Sequence, residues 1–524
     1  MAIETELKLR IAPEQLARLK RHPLLKAHQL TPPTTRRLYN IYYDTPKLEL
    51  QQSGMALRLR RSGKKWLQTL KGGGGVQGGL HRRNEWEMPV RGPALDFSLP
   101  QVAEWDELLP KKLRKKLQPV FVTDFSRNSR MLSWQDAQIE LCMDHGEVST
   151  EHLRTPICEL ELELKSGEPQ QLFELALSIL DIVPFALESI SKAEQGFRLM
   201  GGVAEQPVKA LPVKLDKHDE LGKAMQTLIW SVLQQVQGNV RGLELNQKIP
   251  VALEPAEGLV QQLTVDNVEY LHQLRVALCR LSVLLQMAES VCADEQLAAF
   301  RQDIAALCII LGRVRDWDVF IANTVQPMCA RMPQDAGLVA LLAASRKQRD
   351  GCCGALRNDA QARELQRLLL RFAIWMHGEY WQKFAETGLQ ARDFAAAYLS
   401  ELSGQFEQAA AHLEPFDAAK LHVLRIQAKK LKYCAEFFAS LYGKHKLEQY
   451  LAALSAVQEV LGQINDDAVA NRLLDGLAAT QALSGHEDAL ALVRGRMTHD
   501  LPQQMRVLQD AMHDFKRQLQ HWKN

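Results

Sequence analysis

Residues 3–9 read Ile3-Glu4-Thr5-Glu6-Leu7-Lys8-Leu9, and residues 158–165 read Cys158-Glu159-Leu160-Glu161-Leu162-Glu163-Leu164-Lys165. Strict alternation is the period of a strand, whose successive side chains point to opposite faces. Glu4, Glu6 and Lys8 therefore share one face, and Ile3, Thr5, Leu7 and Leu9 the other. The runs between repeat the pattern. Arg58 and Arg60 oppose Leu57 and Leu59, Thr69 and Lys71 oppose Gln68 and Leu70, and Arg83 aligns with Glu85 and Glu87. Glu140 and Asp144 oppose Ile139, Leu141 and Met143. An antiparallel sheet with one wet face explains such a pattern. Grouped acids such as Glu4/Glu6 and Glu159/Glu161/Glu163, however, repel one another unless a cation intervenes. A sheet closed with its charged face inward would enclose a polar tunnel, with Arg and Lys for a polyanion and carboxylates for divalent metals. Patterning alone leaves both readings open.

Working outward, residues 1 to about 200 are strand-rich, with helical stretches such as PEQLARLKRH and PQQLFELALSILD between the runs. Residues 203–216 contain two prolines and read as a linker. From 217 the chain is helical nearly throughout. There HQLRVALCRL at His272 matches HVLRIQAKKL at His422, and LGRVRDWDV at Leu311 matches LGQINDDAV at Leu461. The shared offset favours a duplicated helical unit over chance similarity. In the second copy His422, Arg425, Lys429 and Lys432 form one helical stripe. In the first, His272 and Arg275 begin the same stripe, but Cys279 and Ser282 replace the lysines.

The 524 residues, 46% apolar and 24% charged, supply more than one core and exclude wholesale disorder, collagen and coiled-coil-only chains. A net charge of +2 argues against a globally basic nucleic-acid binder. No apolar stretch is long enough to predict a membrane span, and the charged MAIETELKLR lacks the apolar region of a signal peptide. The nine cysteines, an odd number with no CxxC spacing, suit reduced thiols, a cytoplasmic location and no zinc framework.

Glu4-Thr-Glu6-Leu-Lys8 resembles the ExExK signature of the CYTH superfamily, the triphosphate tunnel metalloenzymes. It is followed in order by Tyr42-Tyr43-Asp44-Thr45-Pro46, Ala56 to Arg60, Leu67 to Lys71, Arg83-Asn84-Glu85, Phe125-Ser126-Arg127, Glu140 to Asp144, Glu159 to Glu163 and Ser191-Lys192. The resemblance covers about residues 1–200 and implies an α+β domain, 1–202, built on an eight-stranded antiparallel tunnel barrel. It implies metal ligation by Glu4, Glu6, Glu161 and Glu163 with Mg²⁺ or Mn²⁺, Asp144 and Glu140 completing a second metal site or orienting a water. It also implies a phosphate clamp of Arg58, Arg60, Lys71, Arg83, Arg127 and Lys192. Glu4, Glu6 and Lys8 are the expected catalytic residues, Lys8 as general base or as plain phosphate contact. Glu159 is left outside the metal set as solvated or salt-bridged. Arg130 is expected at the surface, Trp66 and Trp86 in packing, and Gly72–Gly79 in a flexible hairpin connection.

His272-Gln-Leu-Arg275-Val, Arg315-Asp316, His422-Val-Leu-Arg425-Ile, Lys429-Lys430-Leu-Lys432-Tyr433 and Asn465-Asp466 resemble the CHAD domain over roughly 217–520. That resemblance implies an all-α domain, 217–524, of duplicated helical bundles flanking a basic, polyphosphate-binding surface. His272, Arg275, Arg280, Arg315, His422, Arg425, Lys429 and Lys432 are the residues expected on it. Together the resemblances imply an inorganic triphosphatase with a polyphosphate-binding module. The alternatives are an organic triphosphate hydrolase such as a thiamine triphosphatase, a class IV adenylate cyclase-like enzyme, or a catalytically silent polyphosphate scaffold. Neither nucleic acid nor membrane is an expected partner, and the oligomeric state is left open.

Overall fold

The computed structural model describes residues 2–99, 105–201, 205–247, 267–356, 359–411, 417–480 and 483–523. Two compact units emerge: the described residues of 1–207, 240–265 and 363–378, and those of 208–239, 266–362 and 379–524.

The first unit is built on β1 (Ala2–Ile11), β2 (Thr34–Asp44), β3 (Ala56–Ser62), β4 (Lys65–Gln77), β5 (Leu80–Val90), β6 (Gln118–Trp134), β7 (Ala137–Ser149) and β8 (Arg154–Ser166). The strands run antiparallel in the order β5-β4-β3-β2-β6-β7-β8-β1, and β1 also pairs with β5. The sheet is thus a closed eight-stranded barrel. Closure satisfies every strand edge and decides between the two readings of the alternation. A short β9 (Phe185–Leu187) pairs with the end of β1.

Both faces of the sheet are buried. Leu7, Leu9, Leu57, Leu59, Leu70, Ile139, Leu141, Leu160 and Leu162 are fully buried on the outer face. Part of that cover is α1 (Pro169–Ile182), whose Leu172, Leu175, Ala176 and Ile179 are also fully buried. Each such leucine contributes about 1.5–3 kcal/mol of transfer free energy. On the other face Lys8 is 3% exposed, Asp144 0% and Glu161 6%. Charged groups so enclosed, on the face opposite the leucines, line a lumen.

One stretch of that lumen is apolar. Leu38, Tyr42, Phe121, Phe125, Val148 and Ile157, of the same parity as the charged residues, pack with Ala193 and Phe197 of α2 (Lys192–Gly201). Tyr42 stacks on Phe121 at 4.5 Å, and Phe197 meets Phe121 edge-on at 5.1 Å. A Cβ at Gly196 would lie 2.2 Å from the Phe121 ring, so glycine is what lets α2 approach this plug. The helix consequently delivers Lys192, its first residue, into the charged lumen.

The glycine run forms the hairpin between β4 and β5, as expected, but most of it is strand with a bulge between Gly72 and Gly75. Gly74 has φ +87°, and a Cβ there would lie 1.9 Å from the Arg82 carbonyl oxygen.

In the second unit two helical hairpins repeat. The first is α3 (Asn267–Val291) and α4 (Glu295–Val319); the second is α5 (Ala418–Phe437) and α6 (Lys444–Ala478). Asp294 and Asp417 start α4 and α5 by accepting hydrogen bonds from the backbone amides of Gln296 and of Ala419 and Lys420. The first helices of the hairpins, α3 and α5, pack on each other, as do the second helices, α4 and α6. Leu274, Leu278, Leu281, Leu424, Ala428 and Leu431 are buried at helical spacing between them. Residues 205–216 have no regular structure. No described helix is long and apolar enough to cross a membrane.

Candidate active site and anion-binding face

Strand register assembles the lumen. Glu4 lies opposite Arg83, and Glu6 opposite both His81 and Glu163. Lys8 lies opposite Glu161, Asp144 opposite Glu159 and Arg127, and Lys71 opposite Glu85. Because opposite partners share a face, register alone brings most of the expected residues together.

Carboxylates and cations alternate through this space. Arg127 binds Asp144 through two parallel hydrogen bonds of 2.8 and 2.6 Å and also reaches Glu161. Lys192 Nζ lies 2.6 Å from Asp144 and 2.9 Å from Glu161, and contacts Glu159. Lys8 sits 2.8 Å from Glu6 and bonds Glu161. Lys71 bonds Glu4 and stands 3.4 Å from Glu85, which lies 3.5 Å from Arg58.

These partners set the ionisation. Burial pulls the Lys8 ammonium down, but Glu161 and Glu6 outweigh it and its pKa is raised. Lys192 behaves likewise against Asp144, Glu159 and Glu161. Burial pushes Asp144 and Glu161 up, yet neighbouring cations hold both below the usual carboxylate range. Glu159, buried and beside the other two acids, is pushed up to about 7 despite Lys192. Arg60 differs from the other lumen cations. Its Nε donates to Asn40 Oδ1 at 2.9 Å, and among the described residues it has no ion-pair partner. Burial and the repulsion of Arg58 and Arg127 lower it to about 10. An unneutralised guanidinium among other cations calls for an anion.

Asp144, Glu159 and Glu161 place one oxygen each within 4.8 Å of one another, all buried. Three hard carboxylate donors at that spacing fit a divalent cation. Glu4 and Glu6 belong to the same lumen wall but engage Lys71 and Lys8. Glu163 is less enclosed and holds Lys165 at 2.5 Å, which also reaches Glu140 at 3.2 Å. Glu159 is salt-bridged, as expected, but it is buried with the acids and not solvated. Its place in the Cys158–Lys165 alternation was the available signal. Arg130 also departs from expectation. It is 5% exposed, donating to Asn128 Oδ1 at 3.2 Å, and not a surface residue. Trp86 packs beside the Leu57–Leu70–Trp105 core, as expected.

In the second unit the two stripes converge. Arg425 and Lys429 lie close enough to Arg275 for its charge, added to their burial, to lower their proton affinity, with Asp316 and Asp466 beside them. Lys429, mostly buried and repelled by Arg425 and Arg275, falls to about 8. His272, lowered by burial and by Arg315, lies at this cluster, and its Nδ1 has no hydrogen-bond partner. Neither Arg275 nor Arg425 forms an ion pair among the described residues, and each has a buried, unpartnered Nε. His422 is exposed, its Nδ1 3.2 Å from Asn465 Oδ1, and Lys432 is half-buried further along α5. Arg280 does not join them. It is buried, donates to Glu436 at 2.7 Å and stacks 4.5 Å from the centre of the Phe437 ring.

Residues 2–197 match the CYTH domain family and residues 253–475 the CHAD domain family. The chain carries a CYTH domain followed by a CHAD domain. It is 34% identical over 209 residues to an inorganic triphosphatase of Haemophilus influenzae, a match covering 38% of this chain and 55% of that protein. The chain thus spans about half the length of that curated relative. Among solved structures, the CHAD domain of Ricinus communis is 28% identical, with a TM-score of 0.47, covering 59% of this chain and 97% of that one. A Hippeastrum protein described as an adenylyl cyclase with a dominant triphosphatase activity is 19% identical, with a TM-score of 0.26, covering 36% and 92%.

Proposed function

We propose that the CYTH lumen hydrolyses inorganic triphosphate to pyrophosphate and phosphate with Mg²⁺ or Mn²⁺, and that the CHAD face binds polyphosphate. One observation carries the first part: a closed lumen in which Arg58, Arg60 and Arg127 crowd together beside the buried trio Asp144, Glu159 and Glu161. The Haemophilus influenzae relative supports the same activity.

The three carboxylates, with Glu4 and Glu6 on the adjoining wall, would hold the metal, which when bound supplies Lewis-acid neutralisation at the phosphate. The chain's own cations orient the substrate. Arg58, Arg60 and Arg127 grip phosphate oxygens through paired N–H donors. Lys71, Arg83 and Lys192 add point charges. Lys8, kept protonated by Glu161 and Glu6, contacts phosphate and does not accept a proton. The barrel wall limits bulk water, which strengthens each of these contacts.

The CHAD reading rests on Arg275, Arg425 and Lys429, cations that repel one another without ion-pair partners among the described residues. Reduced cysteines fit a cytoplasmic protein, and all nine are free.

Phosphate release measured with triphosphate, ATP and thiamine triphosphate, with and without Mg²⁺ or Mn²⁺, tests the activity. Metal-dependent release strongest on inorganic triphosphate is the expected result. Faster release from thiamine triphosphate or ATP would replace the substrate, and no release at all would reduce the barrel to a binding role.

A further inference from the structure

The two helical repeats differ at one informative position. Where α5 places Lys429 on the basic face, α3 places Cys279. Helices α3 and α4 form a hairpin turning at residues 292–294. Counted from that turn, Cys279 and Cys308 lie almost equally far along the two packed helices, at the same level of the hairpin. Each thiol is the largest influence on the other's ionisation, as neighbouring thiols are, and both residues are only half-buried, within reach of small reagents. Arg275, Lys429 and Arg425 surround Cys279.

We propose that Cys279 and Cys308 are an oxidisable thiol pair on the basic face, Cys279 the attacking sulfur and Cys308 the resolving one, with hydrogen peroxide as oxidant. The environment assigns the roles. Cys308 and the three cations outweigh burial and draw the Cys279 thiol down, while Cys279 and burial push Cys308 up. At neutral pH the negative charge rests on Cys279 and the proton on Cys308. Burial instead pushes up Cys142, Cys158, Cys329 and Cys434. In the first step the Cys279 thiolate attacks a peroxide oxygen. An S–O bond forms, the O–O bond breaks and hydroxide leaves, with sulfur losing two electrons to the peroxide. In the second step Cys308 attacks the sulfenic sulfur. An S–S bond forms, the S–O bond breaks, and the oxygen departs as water carrying the sulfenic proton and that of Cys308.

The pair bears on anion binding, a consequence that rests on the polyphosphate reading above. The thiolate places a negative charge among the cations that would bind the polyanion. Disulfide formation removes it, so the oxidised face binds polyphosphate more tightly. By linkage, bound polyphosphate shifts the thiol–disulfide equilibrium toward the disulfide.

The test uses the full-length protein. At pH 6, 2,2′-dipyridyl disulfide with residue-resolved mass spectrometry is expected to modify Cys279 on the order of twenty-fold faster than Cys292, its gain in thiolate fraction being partly offset by lower nucleophilicity. After hydrogen peroxide, non-reducing peptide maps are expected to show a Cys279–Cys308 link. In Cys308→Ser the reaction is expected to stop at a dimedone-trappable sulfenic acid on Cys279. Polyphosphate affinity is expected to rise roughly three-fold on oxidation, as for losing one like charge at contact range in water. Equal labelling of Cys279 and Cys292, or no such link, would overturn the pair. A link that leaves a measurable affinity unchanged would overturn the coupling. Absence of polyphosphate binding in both states would overturn the binding reading alone, and the peptide map still decides the thiol pair.

Discussion

The barrel lumen and the helical face both gather cations, but they treat the charge differently. In the lumen, Lys8, Lys71, Arg127 and Lys192 each contact a buried or half-buried carboxylate. On the helical face, Arg275 and Arg425 have no ion pair among the described residues, and Lys429 is pressed to about 8. A network that neutralises itself can be buried, and it selects a ligand that brings its own compensating ions. A cluster left positive holds any polyanion, with affinity that depends on ionic strength. On the function proposed above, the contrast separates a site for chemistry from one for retention.

Breaking the lumen network should have the largest effect. Glu6→Gln removes the 2.8 Å partner of Lys8 from the lumen wall. Triphosphate turnover is expected to fall by roughly 10²–10³-fold, as for loss of a preorganised charged group, while polyphosphate affinity stays unchanged. Phosphate release and a binding titration on the same preparation check both halves.

Arg60→Lys sharpens the comparison from the other side. It keeps a charge but loses the fork held by Asn40. An increase in KM of roughly 10-fold, the scale of one charge-assisted hydrogen bond of about 1.5 kcal/mol, is the expected outcome. Steady-state kinetics at saturating metal measure it.

The pH response should differ too. Lys429 falls from an ordinary lysine value to about 8, so its cationic form is lost above that pH. Polyphosphate affinity of the free protein should therefore decline between pH 7 and 9, by a few-fold, and Lys429→Gln should flatten that slope. The stability sign is opposite. Between pH 8 and the ordinary lysine value the unfolded chain binds the extra proton, so this group makes the folded state more stable as pH rises. Isothermal titration across the range and denaturant midpoints read the two effects. Smallest of all, raising salt from 0.1 to 0.5 M should weaken polyphosphate binding more than it raises the KM for triphosphate, because half-buried charges are screened more than fully enclosed ones.

Much of this was legible in the residues. Period-two alternation located the strands and the charged face, because side-chain direction in a strand is local information. Closure was not legible in the alternation and came only from the family resemblance, since it depends on β1 pairing with both β5 and β8 across long sequence separations. Glu159 was set aside because a third glutamate in a row resembles a solvated face. Only the approach of Lys192, delivered by α2, shows why it is buried. Arg280 was grouped with the stripe by composition, yet five residues beyond Arg275 turns a side chain by about 140° around the helix. That turn points it to Glu436 and Phe437. Arg275 and Arg425, at matching positions of the two repeats, and Lys429, one helical turn beyond Arg425, fall in one cluster because they keep the spacing of a single helical face.

Glu161 is the carboxylate on which the lumen converges, in contact with Lys8, Arg127 and Lys192. The most direct test of the account is triphosphate hydrolysis by Glu161→Gln beside the unsubstituted protein, with Mg²⁺ or Mn²⁺ present. A circular-dichroism melt and a polyphosphate titration establish that the variant is folded. Loss of metal-dependent phosphate release with polyphosphate binding intact is the predicted result. A folded Glu161→Gln protein that releases phosphate at the original rate would contradict the assignment of the chemistry to this lumen.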